Sequence, residues 1–209
     1  MEQQQEQFNP WLHIWVHPRN TIQKIIERNP NYRLTALSFI YGFPWLLSVA
    51  QSFSLGRFYS AWAILLVALV LAIPVGYILI SISAFFFMWL GKLIRGAGGF
   101  LTIRSAIAWA NVPNAVSIVI WLILAGFFKE AAFNSDFAKE TSYAGYLMGA
   151  FLIQVIFAVW AFILLLHTLG QVQNFSAWMA LLNTILVGIV YLALIFGGKW
   201  LLGQGKMNV

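Results

Sequence analysis

Charged residues divide the chain into long apolar intervals, and the lengths of these intervals predict its helices. A helix needs ~20 mostly apolar residues to cross a hydrocarbon core of ~30 Å. Residues 58–91 carry no charge, and we interpret them as one long helix because two crossings and a turn need more residues. Residues 141–198 also lack Asp, Glu, Lys and Arg, and the polar stretch 167–176 divides them into two crossings. The pattern predicts five spans, at about 34–55, 60–91, 106–128, 143–166 and 177–200.

Prolines modify three of the predicted spans. Pro74 lies in the middle of the second span, where its missing N–H predicts a kink. Pro44 interrupts the first span in the same way. The stretch AWANVPNAV (108–116) combines Pro113 with two Asn residues, which favours a break between an entry segment and a true span beginning at about Pro113. We interpret these prolines as packing kinks rather than as parts of a gate.

Residues 9–28 precede the first span and mix Trp and Ile with His, Arg, Gln and Lys. Pro18 suits the first turn of a helix that begins there. A basic, Trp-rich amphipathic segment is typical of a helix lying in the membrane plane, and the alternative is a strap packed on the bundle. We therefore divide the chain into a cytosolic or interfacial segment, 1–33, and a five-helix transmembrane domain, 34–209.

Composition supports a membrane protein. Hydrophobic residues make up 61% of the 209 residues and charged residues only 9%, whereas soluble domains carry ~25% charged residues. The predicted fold is therefore an all-α, polytopic membrane helix bundle with an N-terminal interfacial amphipathic segment. Without cysteines, the chain has no disulfide or thiol chemistry. Its first eight residues are polar and acidic, so we expect no secretory signal and a retained first anchor.

The net charge of +6 is unevenly distributed. Five crossings place seven Lys and Arg residues on the side of the N-terminus and five on the other, which predicts a cytosolic N-terminus and an external C-terminus. Because the basic residues flank apolar segments, they favour anionic lipids over nucleic acid as a partner. The candidate headgroup contacts are Arg19, Lys24, Arg28, Arg33, Lys92, Arg95 and Arg104.

Groups suited to catalysis are absent from the predicted spans. All six acidic residues lie outside them, although proton relays and ion-coupled transport usually need ionisable groups at membrane depth. His13 and His17 have the spacing of metal ligands, but the third histidine lies far away in the sequence. Residues 91–99 are rich in Gly but lack the ending of a phosphate-binding loop. We therefore expect no enzyme, no cofactor and no metal.

Several polar residues fall within or near the spans, and they leave two functions open. Hydrogen bonds between membrane helices contribute ~0.6–2 kcal/mol, so such residues act either as structural links or as the lining of a polar groove. The first function is a non-enzymatic organiser that binds lipid, other membrane proteins or a second copy of itself. The alternative is a small-solute permease, a channel or a lipid-moving protein. The candidate intramembrane polar residues are Gln51, Asn111, Gln154, His167 and Asn183.

Three stretches carry a likeness to a known family. They are NPWLHIWVHPRNTIQKII (9–26), GGFLTIRSAIAWANVPNAV (98–116) and QNFSAWMALLNTIL (173–186). Together they resemble the Yip (Ypt-interacting protein) domain family, which implies five helices, a cytosolic N-terminus and an external or lumenal C-terminus. Eukaryotic members, tied to Rab-type GTPases, carry a long cytosolic N-terminal region, whereas about 33 residues precede the first predicted span here. The resemblance therefore implies a bacterial-type member in the inner membrane and argues against a GTPase partner.

Overall fold

The computed structural model describes residues 8–137 and 144–204, with side chains from 145 to 197 in the second range. Within these residues the chain forms helices and short 3-10 turns, and no strand. The α-helices are α1 (Pro10–His13), α2 (Pro18–Arg28), α3 (Leu34–Ser52), α4 (Ala61–Leu93), α5 (Phe100–Ala110), α6 (Val116–Phe128), α7 (Ala144–Val172) and α8 (Ala177–Gln204).

Five described helical segments are long and apolar enough to cross a membrane, and this confirms the predicted fold class. The first span ends at Ser52 rather than 55, because the next residues form a turn that includes the 3-10 segment Leu55–Arg57. The fourth runs six residues beyond its predicted end, to Val172. The polar residues at its end can remain helical because their side chains point into the bundle and find partners there. For example, the Thr168 hydroxyl donates a hydrogen bond to the Ala106 carbonyl at 3.2 Å.

The turns gather at two ends of the bundle. At one end, the Ala97 N–H donates to the Gln173 carbonyl at 3.2 Å, and Gln171 donates to Gln23 on α2 at 3.2 Å. We call this end, formed by α2 and the turns 94–99 and 173–176, the basic end. At the opposite end, the turn 53–60 meets residues 129–137 through hydrogen bonds and an ion pair.

Small residues allow α3 and α4 to form the most extensive helix pair of the bundle. The two helices cross where Gly42 lies against the Ala72 carbonyl and Gly76 lies against the Ser38 carbonyl. A Cβ atom at either glycine would collide with backbone, so only glycine permits this approach. Membrane helices use such small residues to bring backbones together.

The N-terminal segment packs on the bundle. Helix α2 begins at Pro18, as predicted. Its buried face includes Ile22 and Ile25, which join the core around α5 and α7, and this contact is the strap that the sequence left open as an alternative. Other apolar side chains of the segment remain outward, with Leu12 68% and Val16 73% exposed.

The third span is broken as the sequence predicted. Helix α5 ends at Ala110, the segment Val112–Ala115 forms a 3-10 turn around Pro113, and α6 continues from Val116. From residue 103 to residue 110 every side chain of α5 is buried. Because neighbours cover all sides of this stretch, it forms the centre of the core at the basic end. A second core, around α6, lies at the opposite end.

Candidate functional site

Arg104, on the first half of α5, carries a charge into this core. Its side chain is only 5% exposed. One terminal nitrogen donates to the Tyr77 hydroxyl on α4, and the other donates to the Asn31 side-chain oxygen, both at 2.6 Å. The guanidinium also lies over the rings of Tyr77 and Phe100, with its carbon 4.9 and 5.3 Å from the ring centroids. Arg104 therefore ties α5 to α4 and to the segment before α3.

No carboxylate neutralises this charge among the described residues. Glu130 and Asp136 lie at the opposite end, where Asp136 pairs with Arg57 at 2.6 Å. Glu27 lies exposed on α2 and accepts a hydrogen bond from Gln23 at 2.6 Å. The Arg104 Nε is buried and has no hydrogen-bond partner among the described residues. Arg104 is thus a buried cation held by neutral oxygens and aromatic faces.

A pocket of about 510 Å³ opens beside Arg104. Its polar wall carries Asn31, Thr35, Tyr77 and Arg104, and its apolar wall comes from α3 and α4. The apolar lining residues are Leu34, Ile73, Pro74 and Ile78. The pocket therefore offers a positive, hydrogen-bonding corner beside an aliphatic surface.

The other six predicted headgroup contacts lie on α2, before α3, at the end of α4 and in the turn 94–99. Five of them are exposed, and Arg19 is partly buried beside Gly170 on α7. None forms an ion pair within the described part of the chain. The five exposed side chains are Lys24, Arg28, Arg33, Lys92 and Arg95. The basic end thus presents a group of uncompensated cations.

A second polar site lies at the break between α5 and α6. Asn111 donates to the Ile107 carbonyl and accepts from Asn114, both at 2.9 Å. These amides line a groove of about 380 Å³ together with Gln154 of α7, so the structure brings two of the predicted intramembrane polar residues together. Gln154 has no hydrogen-bond partner among the described residues. The groove is open and has both amide and aromatic walls.

The remaining predicted polar residues lie elsewhere. Gln51 donates to the Ala132 carbonyl at 2.9 Å at the opposite end. Asn183, fully buried on α8, donates to the Phe87 carbonyl of α4 at 3.1 Å. His167 is half-buried near the basic end of α7. None of these three lines the groove.

A match to a known protein family covers most of the helix bundle. A family model described as the Yip1 domain matches residues 12–198, which is most of the chain. The chain belongs to the Yip1 domain family. No curated protein sequence and no solved structure matches it. The match covers α2, the broken third span and the final helices, so this Yip1 domain is a multi-pass membrane protein.

Sequence reasoning about this Yip1 domain missed Gln173 and the two partners of Arg104. Gln173 follows α7 in a polar turn, yet its side chain is fully buried against Gly91 and Gly96. The glycines of the stretch 91–99 were a possible sequence signal for this contact, because the buried Gln173 side chain needs space that a Cβ atom at Gly91 or Gly96 would fill. Asn31 and Tyr77 gave no signal, since both are distant from Arg104 in the sequence.

Proposed function

We propose that this Yip1 domain is a non-enzymatic membrane protein that gathers anionic lipid at its basic end. The observation that carries the proposal is the set of exposed cations on α2, before α3, at the end of α4 and in the turn 94–99. These cations have no carboxylate partners in the described chain. Each such residue near an anionic surface contributes about 1 kcal/mol of attraction. Leu12 and Val16, in the N-terminal segment just before α2, are exposed apolar side chains that suit contact with the boundary between headgroups and acyl chains.

The proposed orientation follows from the same charges. Basic residues accumulate on the cytosolic side of membrane proteins, so the basic end faces the cytosol and the C-terminus lies outside, in a bacterial inner membrane. A reporter active only in the cytosol, fused to each terminus in turn, tests this arrangement. Activity at the N-terminus and none at the C-terminus is expected, and the reverse pattern would contradict it.

Lipid selectivity provides the direct test of the binding proposal. In reconstituted membranes, electron paramagnetic resonance of spin-labelled lipids measures the association of phosphatidylglycerol relative to phosphatidylcholine. We expect the wild type to prefer the anionic lipid, and we expect this preference to fall to near unity in a variant with six Gln substitutions. The six substituted positions are Arg19, Lys24, Arg28, Arg33, Lys92 and Arg95.

The control for lipid selectivity removes charge from the other end. Lys129→Gln with Lys199→Gln should leave the preference for phosphatidylglycerol unchanged, because these positions belong to the side with fewer basic residues. Equal preference for the two lipids in the wild type would refute the proposal, as would equal losses in the two variants.

The groove at the α5–α6 break supports a second candidate function, a small-solute permease, a channel or a lipid-moving protein. Asn111 and Gln154 line this groove, whereas Gln51 lies outside it. In vesicles, solute flux or lipid scrambling should therefore fall in Asn111→Leu and Gln154→Leu and persist in Gln51→Leu. Absence of flux across a broad set of solutes and lipids would exclude this candidate.

A further inference from the structure

Arg104 has hydrogen-bonding capacity that its protein neighbours do not use. A guanidinium carries five N–H donors, and the described contacts use one on each terminal nitrogen. Both contacts are to neutral oxygens, so they orient the guanidinium without cancelling its charge. Burying such a charge is costly unless an opposite charge completes the site. An anion beside Arg104 would supply that opposite charge.

The pocket beside Arg104 determines the kind of anion. Asn31, Thr35 and Tyr77 supply polar groups around the cation, while Ile73 and Ile78 form an exposed aliphatic wall. A planar guanidinium recognises phosphate oxygens through paired hydrogen bonds. An anion that also carries aliphatic chains would occupy both walls at once.

The depth of the site in the bilayer matches the depth of the lipid headgroups. Asn31 lies three residues before α3, between the exposed residues Arg28 and Arg33. Exposed arginines are strongly disfavoured in hydrocarbon, so this segment marks the headgroup level. The Arg104 terminal nitrogen, 2.6 Å from the Asn31 oxygen, lies at the same level. A phosphate in the cytosol-facing leaflet would meet the guanidinium there.

We propose that the Arg104 pocket binds one anionic phospholipid, with the phosphodiester at Arg104 and an acyl chain along Ile73 and Ile78. The site deepens the proposed function and rests on it, because its occupant comes from the lipid that the basic end gathers. The exposed cations attract many lipid molecules that exchange with the surrounding membrane, whereas the Arg104 pocket holds a single lipid molecule. The phosphodiester, rather than the surface charge, is what the pocket recognises.

Native mass spectrometry of the purified full chain in detergent tests this site. Phosphatidylglycerol is the probe, and phosphate-free diacylglycerol and inorganic phosphate form separate arms. We expect one tightly bound phosphatidylglycerol per chain, no comparable diacylglycerol, and no displacement by millimolar phosphate. Displacement by inorganic phosphate would overturn the lipid as the occupant, and equal binding of diacylglycerol would overturn the role of the phosphodiester.

Two variants identify the residue and the pocket. Arg104→Gln should weaken phosphatidylglycerol binding by roughly tenfold or more, because it removes a charge-assisted contact. Arg57→Gln is the matched control, since Arg57 lies at the opposite end and already pairs with Asp136. If Arg104→Gln does not fold, Thr35→Trp decides the question, because it fills the pocket from an exposed position of α3 and leaves Arg104 in place.

The outcomes separate a ligand site from a structural brace. Loss of the bound lipid in Thr35→Trp, with an unchanged melting temperature, supports the site. Retention of the lipid in both variants would overturn it, leaving Arg104 as a brace between α4, α5 and the segment before α3. The variant with the six Gln substitutions should keep the single bound lipid while losing its selectivity in the spin-label assay. Failure of the site and failure of the proposed function are therefore distinguishable.

Discussion

Replacing Gly76 with alanine tests the packing of the bundle where two backbones meet. The new Cβ would lie far inside van der Waals contact with the Ser38 carbonyl oxygen and carbon on α3. Because the obstacle is backbone, no side chain can rotate away, and the two helices must separate. Overpacking of this kind costs about 1–3 kcal/mol, and the higher helix propensity of alanine returns at most about 1 kcal/mol. Because the overlap is with rigid backbone, the cost should fall near the upper end of this range, and we expect a net loss of about 2 kcal/mol.

Thermal unfolding in detergent, followed by tryptophan fluorescence, measures this loss. For a chain of this length, about 2 kcal/mol corresponds to a melting temperature lower by roughly 4–8 °C. The matched control is Gly188→Ala on α8, where a Cβ would meet no atom within 4 Å. Its melting temperature should be unchanged or slightly higher. An unchanged melting temperature in Gly76→Ala, or an equal decrease in both variants, would refute the close crossing of α3 and α4.

Three further predictions concern the two ends of the bundle. Gly91→Ala should lower the free energy of unfolding by about 1–3 kcal/mol, because its Cβ would strike the buried side chain of Gln173, whereas Gly99→Ala should be tolerated in the same thermal assay. Asn183→Leu removes the hydrogen bond to the Phe87 carbonyl and should cost about 1–2 kcal/mol, and unchanged stability would show that this bond contributes nothing. Arg57→Ala breaks an exposed ion pair with Asp136 and should change the free energy of unfolding by at most about 1 kcal/mol. A larger loss would contradict the solvent exposure of this ion pair.

The lengths of the uncharged apolar intervals and the positions of the prolines predict most of this fold. The five spans follow from uncharged intervals matched to bilayer thickness, and two prolines correctly located the start of α2 and the break before α6. The α3–α4 crossing also had a signal, since Ser38 and Gly42 on one helix match Ala72 and Gly76 on the other as small residues four positions apart. Spacing of this kind marks a close contact between membrane helices.

The surroundings of Arg104 could not be predicted in the same way. Residues 103–110 of helix α5 are buried on all sides, so this stretch has no polar face that would indicate where the arginine points. The two residues that hold the guanidinium come from α4 and from the segment before α3, and only the tertiary packing brings them together. Charge counting alone groups Arg104 with the exposed basic residues, although it is buried.

The lipid surrounding the protein in its own membrane tests the central claim most directly. Polymer-bounded discs excised from cells carry the chain with its neighbouring lipids, and lipid mass spectrometry compares their composition with the bulk membrane. We expect anionic phospholipid to be enriched around the wild type and to match the bulk around the variant with the six Gln substitutions. Discs with the bulk composition in both cases would contradict a function based on gathering anionic lipid at the basic end.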